Sequence, residues 1–226
     1  MPTLDDLRTR LDQMLQDAAE RLSLAARDAA IFQAISDYSR DRPRRVVLDV
    51  AGAGAYDLAL PVDWVAGFSH IVSIEYPAGQ REPVLLESGA WSVYTTPAGT
   101  VIRLLDMIPQ SGKTVRISYT VPHLENATTL PAQDLDAVVD LAAAIAFEKR
   151  ATLVAEARDP TLAADLVGSR ARAEDFAARA REARRRYNER MGKEGQPGAA
   201  TGTADWDIEL GDGGDRITHP GRGTDR

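Results

Sequence analysis

Apolar residues recur every three or four positions through Leu4, Leu7, Leu11, Met14, Ala18, Leu22, Ala25, Ala29, Phe32 and Ile35, the stripe of a helix with one buried face. Thr3 with Asp6 fits a capping box, and Ser23 fits a second N-cap, so a break is expected near residues 19–25. The pattern stops at Arg40-Asp41-Arg42-Pro43, where proline forbids continuation. The period then shortens. Runs rich in β-branched and aromatic residues occupy 46–50, 56–60, 69–76, 83–87, 91–95, 100–105 and 114–121. Pro77-Ala78-Gly79, Pro97-Ala98-Gly99 and Gln110-Ser111-Gly112-Lys113 punctuate them as turns, and Pro61-Val62-Asp63-Trp64 reads as one tight helical turn. Short strands at this spacing predict a small antiparallel sandwich or barrel.

Residues 122–133, bounded by Pro122 and Pro131, read as a linker back to helix. Leu135, Val138, Val139, Leu141, Ala142, Ile145, Ala146, Lys149, Leu153 and Ala157 then form a broad helical face, broken at Asp159-Pro160. A last helix starts at Thr161 or Ser169 and ends at Met191, with Gly192 as its C′ glycine and Phe176, Ala177, Ala180, Ala183 and Tyr187 as its inner stripe. Residues 192–226 are rich in Gly and Asp, show no period, and alone should be disordered. The expected fold is therefore α+β. A helical bundle (1–45 and 123–191) carries an inserted small antiparallel β-sandwich or barrel domain (46–122) and a flexible C-terminal tail (192–226).

Composition narrows the chemistry. The chain has 226 residues, a formal net charge of −7, no cysteine and three histidines far apart in sequence. Disulfides, thiol catalysis and thiolate metal sites are excluded, and the charge opposes non-specific nucleic-acid binding by the chain as a whole. No apolar run approaches the ~20 residues of a membrane span, and the first residues lack the basic and apolar regions of a secretory signal.

Two glycine motifs fail their structural tests. Val46-Val47-Leu48-Asp49-Val50-Ala51-Gly52-Ala53-Gly54 has the strand and glycines of a dinucleotide site, but the third glycine is replaced by Asp57 and strand pattern follows instead of helix. Gly112-Lys113-Thr114 has Met107 where a phosphate loop needs its first glycine, and it too leads into a strand. Both are read as hairpin turns. Asp49, Asp57, Asp63 and Glu75 lie near the sheet, but no ligand spacing draws them together, and nothing singles out a nucleophile. His70, within a strand, reads as a structural residue, His123 lies beside a proline in the linker, and the sequon at Asn126 carries no meaning without export. No catalytic residue, metal or cofactor is expected. The last helix carries an excess of four positive charges. Arg184, Arg185 and Arg186 are candidates for contact with an acidic partner or passing DNA, against the plainer reading of a solvated face held by local ion pairs.

Over residues 28–192 the sequence resembles the head–tail adaptor (connector) proteins of tailed bacteriophages and gene-transfer particles. The resemblance is carried by Tyr38-Ser39-Arg40-Asp41-Arg42-Pro43 and Leu60-Pro61-Val62-Asp63-Trp64-Val65-Ala66-Gly67-Phe68-Ser69. Ser73-Ile74-Glu75-Tyr76-Pro77, Tyr119-Thr120-Val121-Pro122-His123, Thr129-Leu130-Pro131 and the closing 176–187 helix complete it. These are packing and turn signatures, not catalytic ones. The resemblance implies a structural virion protein at the head–tail junction, made in the host cytoplasm. It implies a ring, typically twelvefold, between the portal protein and the next tail or neck component, completing the DNA exit channel. The alternative is a ligand-binding β module of a tail accessory protein. Outside the resemblance, Trp206, Ile208 and Leu210 alternate along the tail, so an extended segment would present all three on one side to the portal or a neighbouring subunit.

Overall fold

The computed structural model of the chain describes residues 2–16, 22–156 and 163–193. Helix α1 (Leu4–Leu15) opens with the expected capping box, Thr3 accepting from the Asp6 amide while the Asp6 carboxylate accepts from Thr3. Helix α2 (Leu24–Asp41) starts at the Ser23 cap. Its buried face is Ala30, Ile31, Ala34, Ile35 and Tyr38, whereas Ala25 and Ala29 are exposed and Phe32 is half-buried. The stripe read straight through from α1 is thus out of phase in α2, because a helix that restarts at a new cap keeps no angular memory of the one before.

Six strands follow: β1 (Arg44–Ala51), β2 (Asp57–Ala59), β3 (Ile71–Glu75), β4 (Trp91–Thr96), β5 (Gly99–Leu104) and β6 (Thr114–Val121). They form two three-stranded antiparallel sheets, ordered β1-β6-β3 and β2-β5-β4. The sheets share one apolar cluster containing Leu58, Ile74, Ile102, Leu104, Val115 and Ile117, and they do not close into a barrel. The 83–87 run makes only an isolated bridge, Glu75 with Leu85. Of the glycine and proline turns, Pro97-Ala98 closes a hairpin, with Thr96 opposite Gly99.

The expected hairpins at Gly52–Gly54 and Gly112 are instead crossings between sheets. β1 and β2 lie in different sheets, as do β5 and β6. The two crossings pass against each other. The Gly52 amide donates to Lys113 O at 2.7 Å and the Gly54 amide to Pro109 O at 2.9 Å. A Cβ on Gly52 would stand 2.3 Å from Gln110 O, so glycine there answers backbone proximity.

After β6 the chain runs through the buried Ala127 and Leu130 and a 3-10 turn (Ala132–Asp134) into α3 (Leu135–Glu156). Every residue from Leu141 to Phe147 is buried, because α3 is flanked by α1, α2 and the long α4 (Ala163–Arg190). Gly192, at φ 70°, ends α4 as the sequence predicts, with Lys193 N donating to Asn188 O at 2.8 Å. The helices enclose their own apolar cluster, distinct from that of the sheets.

Candidate interaction surfaces

The chain crosses between helices and sheets twice, after α2 and after β6, and a knot of polar contacts holds the crossings together. Tyr38, buried on α2, donates to Asp134 at 2.6 Å, and the Arg42 guanidinium reaches the same carboxylate at 3.0 Å. Ser39, also buried, accepts the His123 amide at 3.0 Å and donates to Ile35 O at 2.7 Å. The His123 ring lies between Thr129 O (2.9 Å) and Arg42 O (3.0 Å), with its centroid 5.2 Å from that of Tyr38. Burial and the neighbouring carboxylate push the Tyr38 phenol upward from its ordinary value. Beside this knot, Asp41 accepts from Tyr187 and pairs with Lys193, tying the end of α4 to the end of α2. His123, beside Pro122 in the linker as the sequence has it, is buried in this knot. His70, expected within a strand, sits just before β3, exposed, with Nδ1 2.9 Å from the Thr120 hydroxyl.

The arginine triplet of α4 does not form one patch. Successive helical residues point about 100° apart. Arg184 donates to Glu148 of α3 at 2.8 Å, and Arg185 pairs with Glu182 and Glu189 of its own helix. Arg186 donates to Asp140 at 2.9 Å, and Arg190 pairs with the other oxygen of that carboxylate at 2.9 Å. The Asp140 side chain is only 4% exposed, so these two arginines compensate an acid that α3 buries. Trp206, Ile208 and Leu210 lie outside the described residues.

Open surface lies on both the helical and the β part. A cleft of about 690 Å³ runs between α1 and α4 over α3, lined by Arg10, Met14, Asp136, Val139, Arg186 and Arg190 among others. On the β part, Val62, Val65, Leu85, Leu105 and Ile108 are exposed aliphatics in or beside the connections. Behind the Val62 turn, Trp64 lies 6.2 Å from the Tyr119 ring, and the Tyr119 hydroxyl donates to Asp63 at 2.5 Å. Desolvation, with the Asp63 carboxylate second, pushes that phenol up to about 12. Among the described residues no group of three His, Asp or Glu converges to hold a metal ion, and no helix is long and apolar enough to cross a membrane.

No family model matches the chain, and no curated protein matches it. Solved structures do. The neck of a native gene transfer agent particle, computed with C12 symmetry, contains a chain 24% identical over 74% of this chain and 88% of that chain, at a TM-score of 0.26. The neck of an empty particle, computed with C6 symmetry, gives 22% identity over 69% and 79%, at 0.27. The native virion gives 22% over 75% and 87%, also at 0.27. No residue of this chain is assigned a role from these likenesses.

The sequence did not single out Asp140 or Asp134. Each is an acid at the edge of an apolar helical run, and that is the available signal: an acid on a face the period buries needs a cation brought by another element. Arg186 and Arg190, one helical turn apart, are the matching pair.

Proposed function

We propose that the chain is a non-catalytic structural protein of a phage-like virion, a head–tail adaptor whose copies form a ring between the portal and the next neck or tail component. One observation supports this above the others. Tyr38, Ser39, Arg42, His123 and Thr129, all within segments that carry the sequence resemblance, converge where the chain crosses between helices and sheets. The segments Leu60–Ser69 and Tyr119–His123 likewise meet, through Trp64, Asp63 and Tyr119. The resemblance thus falls on residues that fix how a β part sits on a helical one, as a part that repeats around a ring requires. In this reading the tail residues Trp206, Ile208 and Leu210 dock on the portal or a neighbouring subunit, Arg184, Arg185 and Arg186 face partners from separate sides of α4, and the DNA passes through the ring. Each contact is weak alone and gains by repetition.

The test is native mass measurement of the protein alone and with the purified portal of its particle. The expected result is monomer alone and a closed ring on the portal. Trp206→Ala, or truncation after Gly202, should leave the monomer fold unchanged and weaken assembly. A stable monomer that ignores the portal would overturn the reading.

A further inference from the structure

One row of the β1-β6-β3 sheet has features that the neck reading does not use. Arg45 on β1 pairs in register with Thr120 on β6. On the other side of β6, the Thr120 amide donates to His70 O at 3.0 Å, and the His70 amide donates to the Thr120 hydroxyl at 3.1 Å. Cross-strand neighbours face the same way, so Arg45, Thr120 and His70 line one face, with the outer two backbones roughly 10 Å apart, twice the strand spacing. That face forms the wall of a cleft of about 550 Å³, completed by Asp41, Arg42, Pro43, Ile71 and Val72.

The charges in this cleft are not equal. Asp41 is held by Tyr187 and Lys193, and Arg42 by Asp134. Arg45 forms no ion pair among the described residues. Thr120 also sets the imidazole. Its oxygen accepts the His70 amide, and its one proton has two acceptors in reach, Nδ1 at 2.9 Å and the more distant His70 O at 3.4 Å. With that proton on the nearer acceptor, Nδ1, the ring proton stands on Nε2, away from Thr120. The cleft therefore offers a guanidinium fork and an imidazole N–H, with aliphatic wall at Pro43, Ile71 and Val72.

We propose that this cleft binds a single carboxylate side chain of a partner protein, with Arg45 as the bidentate donor and His70 Nε2–H as the second. A protein acid fits better than nucleic acid. A polyanion would carry further phosphates over Asp41 and over a chain of net charge −7, whereas one carboxylate with an aliphatic stem matches both the donors and the apolar wall. The proposal does not depend on the neck reading.

The test follows the His70 imidazole and Arg45 Nε signals by NMR in the full chain. Titrants are a capped tetra-glutamate peptide, inorganic phosphate and a thymidine tetranucleotide. Saturable shifts of both signals with the peptide are expected, weakened about tenfold in Arg45→Gln and partly retained in Arg45→Lys, since lysine keeps the charge but not the fork. Arg45 is exposed on an edge strand, and unchanged amide spectra in both variants check that the fold is kept. The ring should show the Nε2–H tautomer. Absence of saturable shifts, equal affinity in Arg45→Gln, tighter binding of the tetranucleotide than of the peptide, or an Nδ1–H tautomer would each overturn the proposal.

Discussion

The helical and β parts of this molecule solve the packing problem with different materials. The helical cluster sets alanine among large side chains: Ala137, Ala142, Ala143, Ala144 and Ala146 of α3, Ala30 and Ala34 of α2 and Ala180 and Ala183 of α4 are buried together with Leu7, Leu11, Ile31, Ile35 and Leu141. Small side chains let helices approach closely but bury little area each, and ion pairs between elements accompany them. Arg8 grips Asp28 with two bonds of 2.8 Å, and Asp140 takes Arg186 and Arg190. In the β part the fully buried residues are Ile74, Ile102, Leu104, Val115 and Ile117, with no alanine in the cluster; the cross-strand pairs Arg103–Asp57 and Arg116–Asp49 lie on partly exposed faces, and Arg116 also reaches the buried Glu75 at 3.4 Å. The lesson is that the helical part adds the close fit of small side chains to its large apolar ones, whereas the sheets pack on large apolar side chains without alanine.

The largest test of that division is removal of residues 46–121 with a short glycine link. The cut ends, Arg45 and Pro122, adjoin the cross-strand partners Arg44 and Val121, so a short link can join them. The shortened chain should keep a cooperative helical circular dichroism signal. Loss of that signal would show that the helices need the sheets.

Point substitutions in the two cores should then separate. Ile117→Ala opens a cavity in the β cluster and should cost about 2–5 kcal/mol, whereas Ala143→Leu overfills the contact between α3 and its neighbours and should cost about 1–3 kcal/mol. Chemical denaturation with residue-resolved amide exchange checks both. The first should loosen β amides before helical ones, and the second should do the reverse.

Asp140→Asn removes the buried charge and leaves Arg186 and Arg190 facing each other. A loss of about 2 kcal/mol is expected, most of it restored when Arg186→Gln is added. Thermal melts of the single and double variants measure it. An additive double variant would show that the pair contributes no coupling.

The smallest effects are in the pH profile. The Arg116 and Arg103 guanidiniums bonded to Asp49 and Asp57 hold both carboxyls below their ordinary range. Their contribution is therefore present above the unfolded carboxylate pKa of about 3.9 and is lost as pH falls through the lower folded values. Asp57→Asn and Asp49→Asn should flatten the acid limb slightly, and added salt should shrink the difference. At the other extreme, Tyr119, raised to about 12, contributes fully below the unfolded phenol value of about 10, and that contribution is lost as pH rises through about 12. Tyr119→Phe should flatten that alkaline limb.

Much of the architecture could be read from local pattern. Period and cap residues placed the helices, since an amphipathic face and the Thr3 and Ser23 caps act within a few residues. Alternation and the Pro-Ala-Gly signal placed β4, β5 and their hairpin, because a two-residue turn is decided by its own φ angles. What local pattern could not decide was partnership. Gly52 and Gly112 announce turns, but only the packed chain shows that these turns cross between sheets and that Gly52 is required by the Gln110 carbonyl beside it. The arginine run announced charge, yet which arginine meets which acid depends on how α4 lies along α3, and the 100° step sends Arg184, Arg185 and Arg186 to different partners. The same holds for Arg45 and His70, 25 positions apart, which share a cleft because β6 pairs with β1 on one side and β3 on the other. Periodicity and turn chemistry are local free energies, so the sequence by itself determines them. Strand order and ion-pair choice are set by long-range contacts whose energies appear only once the chain has packed, and those the tertiary structure decided.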